Sequence, residues 1–368
     1  MSFSRYNRLL ILPFLLIIGA LTIFSLWLEP LSGDLTRMGG YSERNFGWNL
    51  SQHRFEKPLF RMLKDTEPFP ENEYFDMVIL GDSFSIHYPL SQTNEGTYWP
   101  NYLANMTGMK ILAINTTIHS FEDVINSTLF QKNPPKFFLY ETVERLALSR
   151  LIAQKKCAKK TTPYITRETN PIYLHTLGNQ PIEYLRPRWN GVQLGSVWNY
   201  LKKSFLRQTI ADKSDVVRLP LYNLNSKIFS NRHNQEILLL GPTMNQPISE
   251  EQLEAFHCGI SMIQGDIEKN NHSRLLLMIA PDKQSVYSTH IQSLSSTHLE
   301  SLLRVDHPSI ISIFQPLLNS IKNGEVDLYL PNDTHWGHTG HEIAAQAVFD
   351  HMVKNNWIHV SRNHRVEQ

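Results

Sequence analysis

Apolar residues fall along this chain in two kinds of run. One is long: residues 9–28 carry no charge and are dominated by Leu, Ile and Phe, and at about 1.5 Å per residue a helix of that length crosses a bilayer core of roughly 30 Å. The others are short. Residues 77–80, 110–114, 136–140, 236–240, 274–279 and 326–330 are branched or leucine-rich runs flanked by polar or glycine positions, each compatible with a strand buried on both faces. Helical stretches are predicted between them at 121–130, 249–267 and 308–321, the second opened by Ser249 and two glutamates as a capped start. A last amphipathic helix over 339–353 aligns Ile343, Ala347 and Val348 on one face. Alternating strands and helices with right-handed crossovers predict an α/β sandwich around a mostly parallel sheet, with its site beyond the carboxyl ends of the strands.

This patterning divides the chain into a tail at 1–8, a transmembrane anchor at 9–28, a polar juxtamembrane linker at 29–72 and an α/β domain at 73–368. Within the domain, 151–232 breaks the rhythm with scattered Pro, Tyr, Trp and Lys and is read as an insertion over the site. Arg5 and Arg8 precede the apolar run while Glu29 and Asp34 follow it. The positive-inside bias therefore predicts a single-pass protein of the cytoplasmic membrane with its domain in the periplasm or outside. A cleaved signal peptide is the competing reading, against which stand the length of the run and the lack of an Ala-x-Ala site.

Composition narrows the function classes. A hydrophobic share of 41% and an aromatic share of 11% belong to a folded globular protein. Intermixed 35 basic and 34 acidic side chains, net +1, give no electrostatic footprint for nucleic acid. Cys157 and Cys258 are the two cysteines; export permits a disulfide between them without demanding one.

Candidate chemistry sits at two strand ends. In Met77-Val78-Ile79-Leu80-Gly81-Asp82-Ser83 a serine follows a strand and a glycine, where a sharp turn exposes its hydroxyl and offers its N–H to an oxyanion. The same three residues also make an ordinary turn. Asp333 and His335 are two apart after the run 326–330, so that in extended backbone the carboxylate reaches the imidazole nitrogen that faces away from a serine, the orienting role a triad requires. With 16 histidines in the chain such a pair also arises by accident. A metal reading of His335, His338 and His341 beside Asp333 is weaker, because zinc-binding pairs on a helix are usually four apart. No metal or other cofactor is expected.

Taken together, Gly81-Asp82-Ser83 and the late Asp333-Thr334-His335-Trp336 resemble the SGNH hydrolases, which implies a flavodoxin-like three-layer sandwich with Ser83 as nucleophile, His335 as base and Asp333 as its orienting partner. A narrower resemblance is to the alginate O-acetyltransferase (AlgJ/AlgX-like) branch. It rests on Asp333-Thr334-His335-Trp336 followed by Gly340, on Pro281-Asp282-Lys283-Gln284-Ser285-Val286-Tyr287, and on Glu141-Thr142-Val143-Glu144-Arg145. The order differs, since in the alginate enzymes the Asp-x-His block precedes the serine block. The strand ends that supply a glycine and an asparagine to the family's oxyanion hole read Asn115-Thr116-Thr117 and Glu141-Thr142 here. Asp82, Thr117, Glu141, Arg145, Lys283, Tyr287 and Trp336 are the resulting candidates for oxyanion or substrate contacts. In the insertion, Tyr184, Trp189, Trp198 and Tyr200 among Arg186, Arg188, Lys202 and Lys203 suit sugar stacking, although packing explains aromatics as readily.

The resemblance implies acetyl transfer to hydroxyls of an exported polysaccharide or cell-envelope glycan through an acetyl-serine. A multi-spanning membrane acyltransferase is the implied acetyl donor. An envelope-carbohydrate esterase or deacetylase, and a non-catalytic glycan-binding or assembly protein on the same fold, are the alternatives.

Overall fold

The computed structural model describes residues 3–28, 33–87, 95–152, 171–178, 180–185, 194–209, 215–224, 226–241, 248–292, 302, 305 and 307–361. A six-stranded parallel sheet forms the centre: β1 (Arg61–Met62), β2 (Met77–Gly81), β3 (Ile111–Asn115), β4 (Phe137–Val143), β5 (Arg274–Ala280) and β6 (Ile310–Ile311), in the order β6-β5-β4-β2-β3-β1. β2 is buried along its whole length, as are all seven residues of β4, which is why these segments read as continuous apolar runs. The helices that bear on the site and on the sheet are α1 (Phe3–Leu28), α2 (Asp34–Gly39), α3 (Trp99–Thr107), α4 (Leu194–Thr209), α5 (Glu250–Glu268) and α6 (His338–Lys354); α5 and α6 pack against the sheet, whereas α1 and α4 pack against each other outside it. Ser249 caps α5 as predicted, accepting the Gln252 N–H while Gln252 returns the bond.

Strand order fixes where a site can form. From β2 the chain passes to β3 on one side, then crosses back so that β4 lies on the other. The carboxyl end of β2 is thus a topological switch point, where diverging connections leave a crevice. Gly81-Asp82-Ser83 occupies that end.

Several predicted elements differ. Residues 326–330 are not a strand. Asp327 adopts φ 57° and Gly324 φ 87°, which breaks the extension, and a single antiparallel bridge joins Tyr329 to Trp336. The run is apolar because Leu328, Tyr329 and Leu330 fill the core. Residues 236–240 do form a strand, but it pairs antiparallel with Val216–Pro220 outside the main sheet. The predicted helix 121–130 is two, Phe121–Ile125 and Thr128–Lys132, because Ser127 caps a new start by accepting the Phe130 N–H. Helix 308–321 begins only at Phe314, since Ile310 and Ile311 complete the sheet edge.

The segment 29–72 is no linker where it is described. It supplies β1 to the sheet and α2 to the site, and Gln52–Phe55 pairs antiparallel with Ile182–Leu185 from the insertion. The insertion is likewise tied down, since Ile172–His175 pairs parallel with Ile358–Ser361 and α4 packs against α1 and α2. The stretch Leu10–Leu28 of α1 is long and apolar enough to span a membrane or to act as a signal sequence. Cys258 is disulfide-bonded, and the chain's other cysteine, Cys157, lies outside the described residues.

Candidate active site

The turn after β2 is built from below by a buried acid. Glu141 in β4 accepts the Asp82 N–H at 2.8 Å and the Ser85 hydroxyl at 2.9 Å, and the Trp99 indole donates to that hydroxyl at 3.0 Å. Burial, then the nearby Asp82 carboxylate, push Glu141 well above the usual carboxylate range. Asp82 in turn accepts the Phe84 N–H at 3.2 Å and the Val143 N–H at 3.0 Å, and pairs with Arg150 at 2.7 Å. A Cβ on Gly81 would lie 2.8 Å from Glu141 and from Ser85, so this crowding admits only glycine. The outcome is a Ser83 hydroxyl presented to the crevice.

His335 meets it from the opposite side. The Ser83 hydroxyl lies 2.7 Å from His335 Nε2, and His335 Nδ1 lies 2.6 Å from Asp333 Oδ1. Both ring nitrogens are therefore engaged, and the imidazole is held between a hydroxyl and a carboxylate. Burial alone would lower the imidazole pKa, but the adjacent, hydrogen-bonded Asp333 outweighs it and raises the value above the ordinary 6.5. Asp333 shows the reverse balance: burial would raise it, yet His335 holds it well below the usual range.

The Asp-Thr-His turn is fastened by two elements. From below, the buried Lys283 ammonium donates to the carbonyls of Leu330, Pro331 and Asp333 at 2.8, 2.9 and 3.1 Å; burial depresses its pKa to about 7. From above comes α2. The Asp34 carboxylate accepts the Thr334 N–H at 2.8 Å and also the Thr334 hydroxyl, and its Oδ2 lies 3.7 Å from His335 Nδ1. Leu35 N–H donates to Asn332 O at 3.2 Å, and Glu43 accepts the Asn332 amide at 2.6 Å and the Gly33 N–H at 3.1 Å. Burial, reinforced by the Asp333 carboxylate, pushes Asp34 up to about 6, and burial pushes Glu43 to about 7.

Ser83, Asp333 and His335 open on a cavity of about 380 Å³ whose wall also includes Asp34, Arg37, Met38, Asp82, Asn115, Thr117, Arg145 and Arg150. Of the sequence-derived candidates, Asp82, Thr117 and Arg145 thus reach the cavity. Arg145 pairs with Asp282 rather than with Glu141. Glu141, Lys283, Tyr287 and Trp336 do not line it. Glu141 and Lys283 brace backbone turns. Tyr287 and Trp336 are fully buried, Tyr287 against Phe229 and Tyr329, and Trp336 against Phe84 and His341. Large rings in a motif pack the core beneath the site more readily than they reach solvent. The three late histidines also diverge: His338 faces Gln52 and His53, while His341 packs on Tyr98 and Trp336. Of the insertion aromatics, Tyr184, Trp198 and Tyr200 stand away from the cavity, and Trp189, Arg186 and Arg188 lie outside the described residues.

Five of these wall residues, Asp34, Arg37, Met38, Asn115 and Arg150, are not among the sequence-derived candidates. Asn115 closes β3 and lines the cavity; its Oδ1 accepts from Thr117 N–H at 2.9 Å and Thr117 hydroxyl at 2.8 Å, which fixes the amide's orientation. The strand-end position was its only signal. Asp34 had none, being one polar residue in a polar segment, 299 positions from its partner Asp333.

Comparison with curated proteins and with solved structures finds no match. A family model does match residues 242–368, that of the SGNH hydrolase-like domain of the acetyltransferase AlgX. The matched segment contains Lys283, Asp333 and His335, and Ser83 approaches it from the preceding half of the fold. An α/β sheet with its serine at the switch point and an Asp-x-His turn inside the matched region agree with an SGNH hydrolase-like domain, and it is to the AlgX-type model of that domain that residues 242–368 are similar.

Proposed function

We propose that the protein transfers acetyl groups to hydroxyls of an exported polysaccharide or cell-envelope glycan, using Ser83 as nucleophile, His335 as general base and Asp333 as the group that orients and charges the imidazole. The observation that carries this reading is the continuous relay from Asp333 through His335 to Ser83, at 2.6 and 2.7 Å, opening on the cavity. A serine hydroxyl is a poor nucleophile unless a base takes its proton, and that relay is the arrangement that does so.

In the first half-reaction His335 Nε2 removes the Ser83 proton as Oγ attacks the acetyl carbonyl. The tetrahedral oxyanion is met by the Ser83 N–H and the Asn115 amide, with the Arg145 guanidinium in the same wall. The imidazolium then protonates the leaving group, giving acetyl-Ser83. In the second half a sugar hydroxyl gives its proton to His335 and attacks the acetyl-serine. Collapse returns the proton to Ser83 Oγ and releases the acetylated sugar.

Water in place of the sugar gives an esterase through the same intermediate. Transfer is favoured by the match to an acetyltransferase domain and by the apolar α1, which suits a donor delivered at the membrane by a multi-spanning acyltransferase. The test is partition of one acyl-enzyme: supply an acetyl ester and a mixture of envelope oligosaccharides, and measure acetylated sugar against free acetate. Sugar ester should exceed acetate and vanish in Ser83→Ala. Acetate alone, with every acceptor tried, would assign hydrolysis instead.

A further inference from the structure

α4 turns a large apolar stripe outward. Its inner side is mixed: Val197 is buried there, Asn199 donates to the Arg37 carbonyl of α2, and the Lys203 stem packs where a Cβ on Gly40 would meet it at 2.5 Å. Its outer side carries Leu194, Trp198, Leu201 and Phe205, exposed by 54, 70, 45 and 65%. At 3.6 residues per turn these four fall within about 60° of arc. Such a stripe, with two aromatic rings and with Lys202 exposed on its flank, is an interfacial pattern, apolar toward lipid and basic toward headgroups.

What covers the stripe is indicated by its neighbour. α4 packs against α1, where Phe24 stacks edge-on with Tyr200 at 5.8 Å. That contact lies one turn before the end of α1 at Leu28, the level at which a spanning helix leaves the bilayer. The base of α1 is also fastened to the domain, through Leu28 O accepting the Ser42 hydroxyl at 3.3 Å and through Arg44 over the Trp27 ring at 5.5 Å. We infer that α4 is a membrane-surface helix, with Leu194, Trp198, Leu201 and Phe205 immersed at the bilayer interface beside α1. This rests on reading α1 as an uncleaved anchor.

The inner side of α4 lies on α2, and α2 supplies Asp34, Arg37 and Met38 to the cavity wall. Lipid, α4, α2 and the Asp-Thr-His turn are therefore consecutive layers. The cavity lies close to the membrane surface, within reach of an acyl donor presented there.

The test uses the full chain in nanodiscs of phosphatidylethanolamine and phosphatidylglycerol, spin-labelled in turn at Trp198→Cys, Phe205→Cys, Leu16→Cys in the middle of α1, and Glu251→Cys as a water-exposed reference. Collision rates with dissolved oxygen and with an aqueous nickel chelate report depth. Labels at 198 and 205 should favour oxygen several-fold over the Glu251 label, approaching the Leu16 label. If the Leu16 label is in lipid while those at 198 and 205 collide freely with nickel, the inference fails and the anchor stands. Labels at 198 and 205 shielded from both reagents would overturn it in favour of a protein partner or second copy. A Leu16 label in water would remove the anchor and the inference with it.

Discussion

Replacing Asp34 separates a linker from a working part of the site. Its carboxylate receives two hydrogen bonds from Thr334, the residue between Asp333 and His335. Bonds of this kind to a charged group contribute about 1.5–3 kcal/mol each. Burial outweighs them, so that with both bonds made the carboxyl still titrates at about 6 rather than 3.8. Loss of the bonds and removal of the buried charge therefore offset one another in Asp34→Ala, whose stability should change by no more than about 3 kcal/mol. Its activity should not be spared. Freed from Asp34, the turn can carry the imidazole off line, and a misplacement near 1 Å lowers kcat/KM by on the order of 100-fold.

Asp34→Asn keeps an acceptor for the Thr334 N–H and removes the charge, so it should hold most of the activity and be more stable than the parent near neutral pH. The sign is fixed by proton binding. With the native pKa above the unfolded one, the folded state binds more protons between 3.8 and about 6, and the parent loses stability as pH rises through that window. The advantage of Asp34→Asn should vanish below pH 3.8 and be complete above pH 6. Urea titrations across this range, paired with ester turnover, measure both. Full kcat/KM in Asp34→Ala, or no pH-dependent difference between Asp34→Asn and the parent, would refute the reasoning.

Other expectations can be checked on the same preparations. Since His335 must be neutral to accept a proton and its pKa is raised, kcat/KM should fall as pH drops through a midpoint above 6.5; a midpoint below that value contradicts the assigned balance. Lys283→Met leaves three turn carbonyls without their donor. It should also abolish the rise in stability that the parent shows as pH increases from about 7 to 10.5, where the unfolded chain binds the extra proton. Gly33→Ala brings a Cβ to 2.3 Å from Asn332 O and should cost about 1–3 kcal/mol with loss of activity; an unchanged Tm would show that α2 docks loosely. Ser83→Ala and His335→Ala should each abolish turnover, Asp333→Ala should reduce it less, and the double variants should add little because the three act as one unit.

The sheet was legible because buried parallel strands announce themselves: 77–80, 110–114, 136–140 and 274–279 appear within a few residues as β2, β3, β4 and β5. Residues 326–330 misled for the same reason that the others succeeded. An apolar run reports burial, and a loop packed into the core is as buried as a strand. Ser83, Asp333 and His335 were visible because turn chemistry and close spacing leave local marks. Their supports were not. Asp34 and Glu43 act through contacts almost three hundred residues away in sequence, and the short helix that carries Asp34 has no period to reveal it. Tyr287 and Trp336 show the converse, since a motif marks residues that the fold requires without saying whether they face ligand or core.

The proposed reaction passes through a covalent acetyl-Ser83. The most direct measurement is peptide mass spectrometry of the full protein quenched in acid after brief exposure to a small acetyl ester, beside His335→Ala and Ser83→Ala. An added acetyl group on the peptide containing Ser83, present in the parent and absent from both variants, is the expected result. Turnover of the ester with no acetyl on that peptide, or an adduct that survives His335→Ala undiminished, would contradict it.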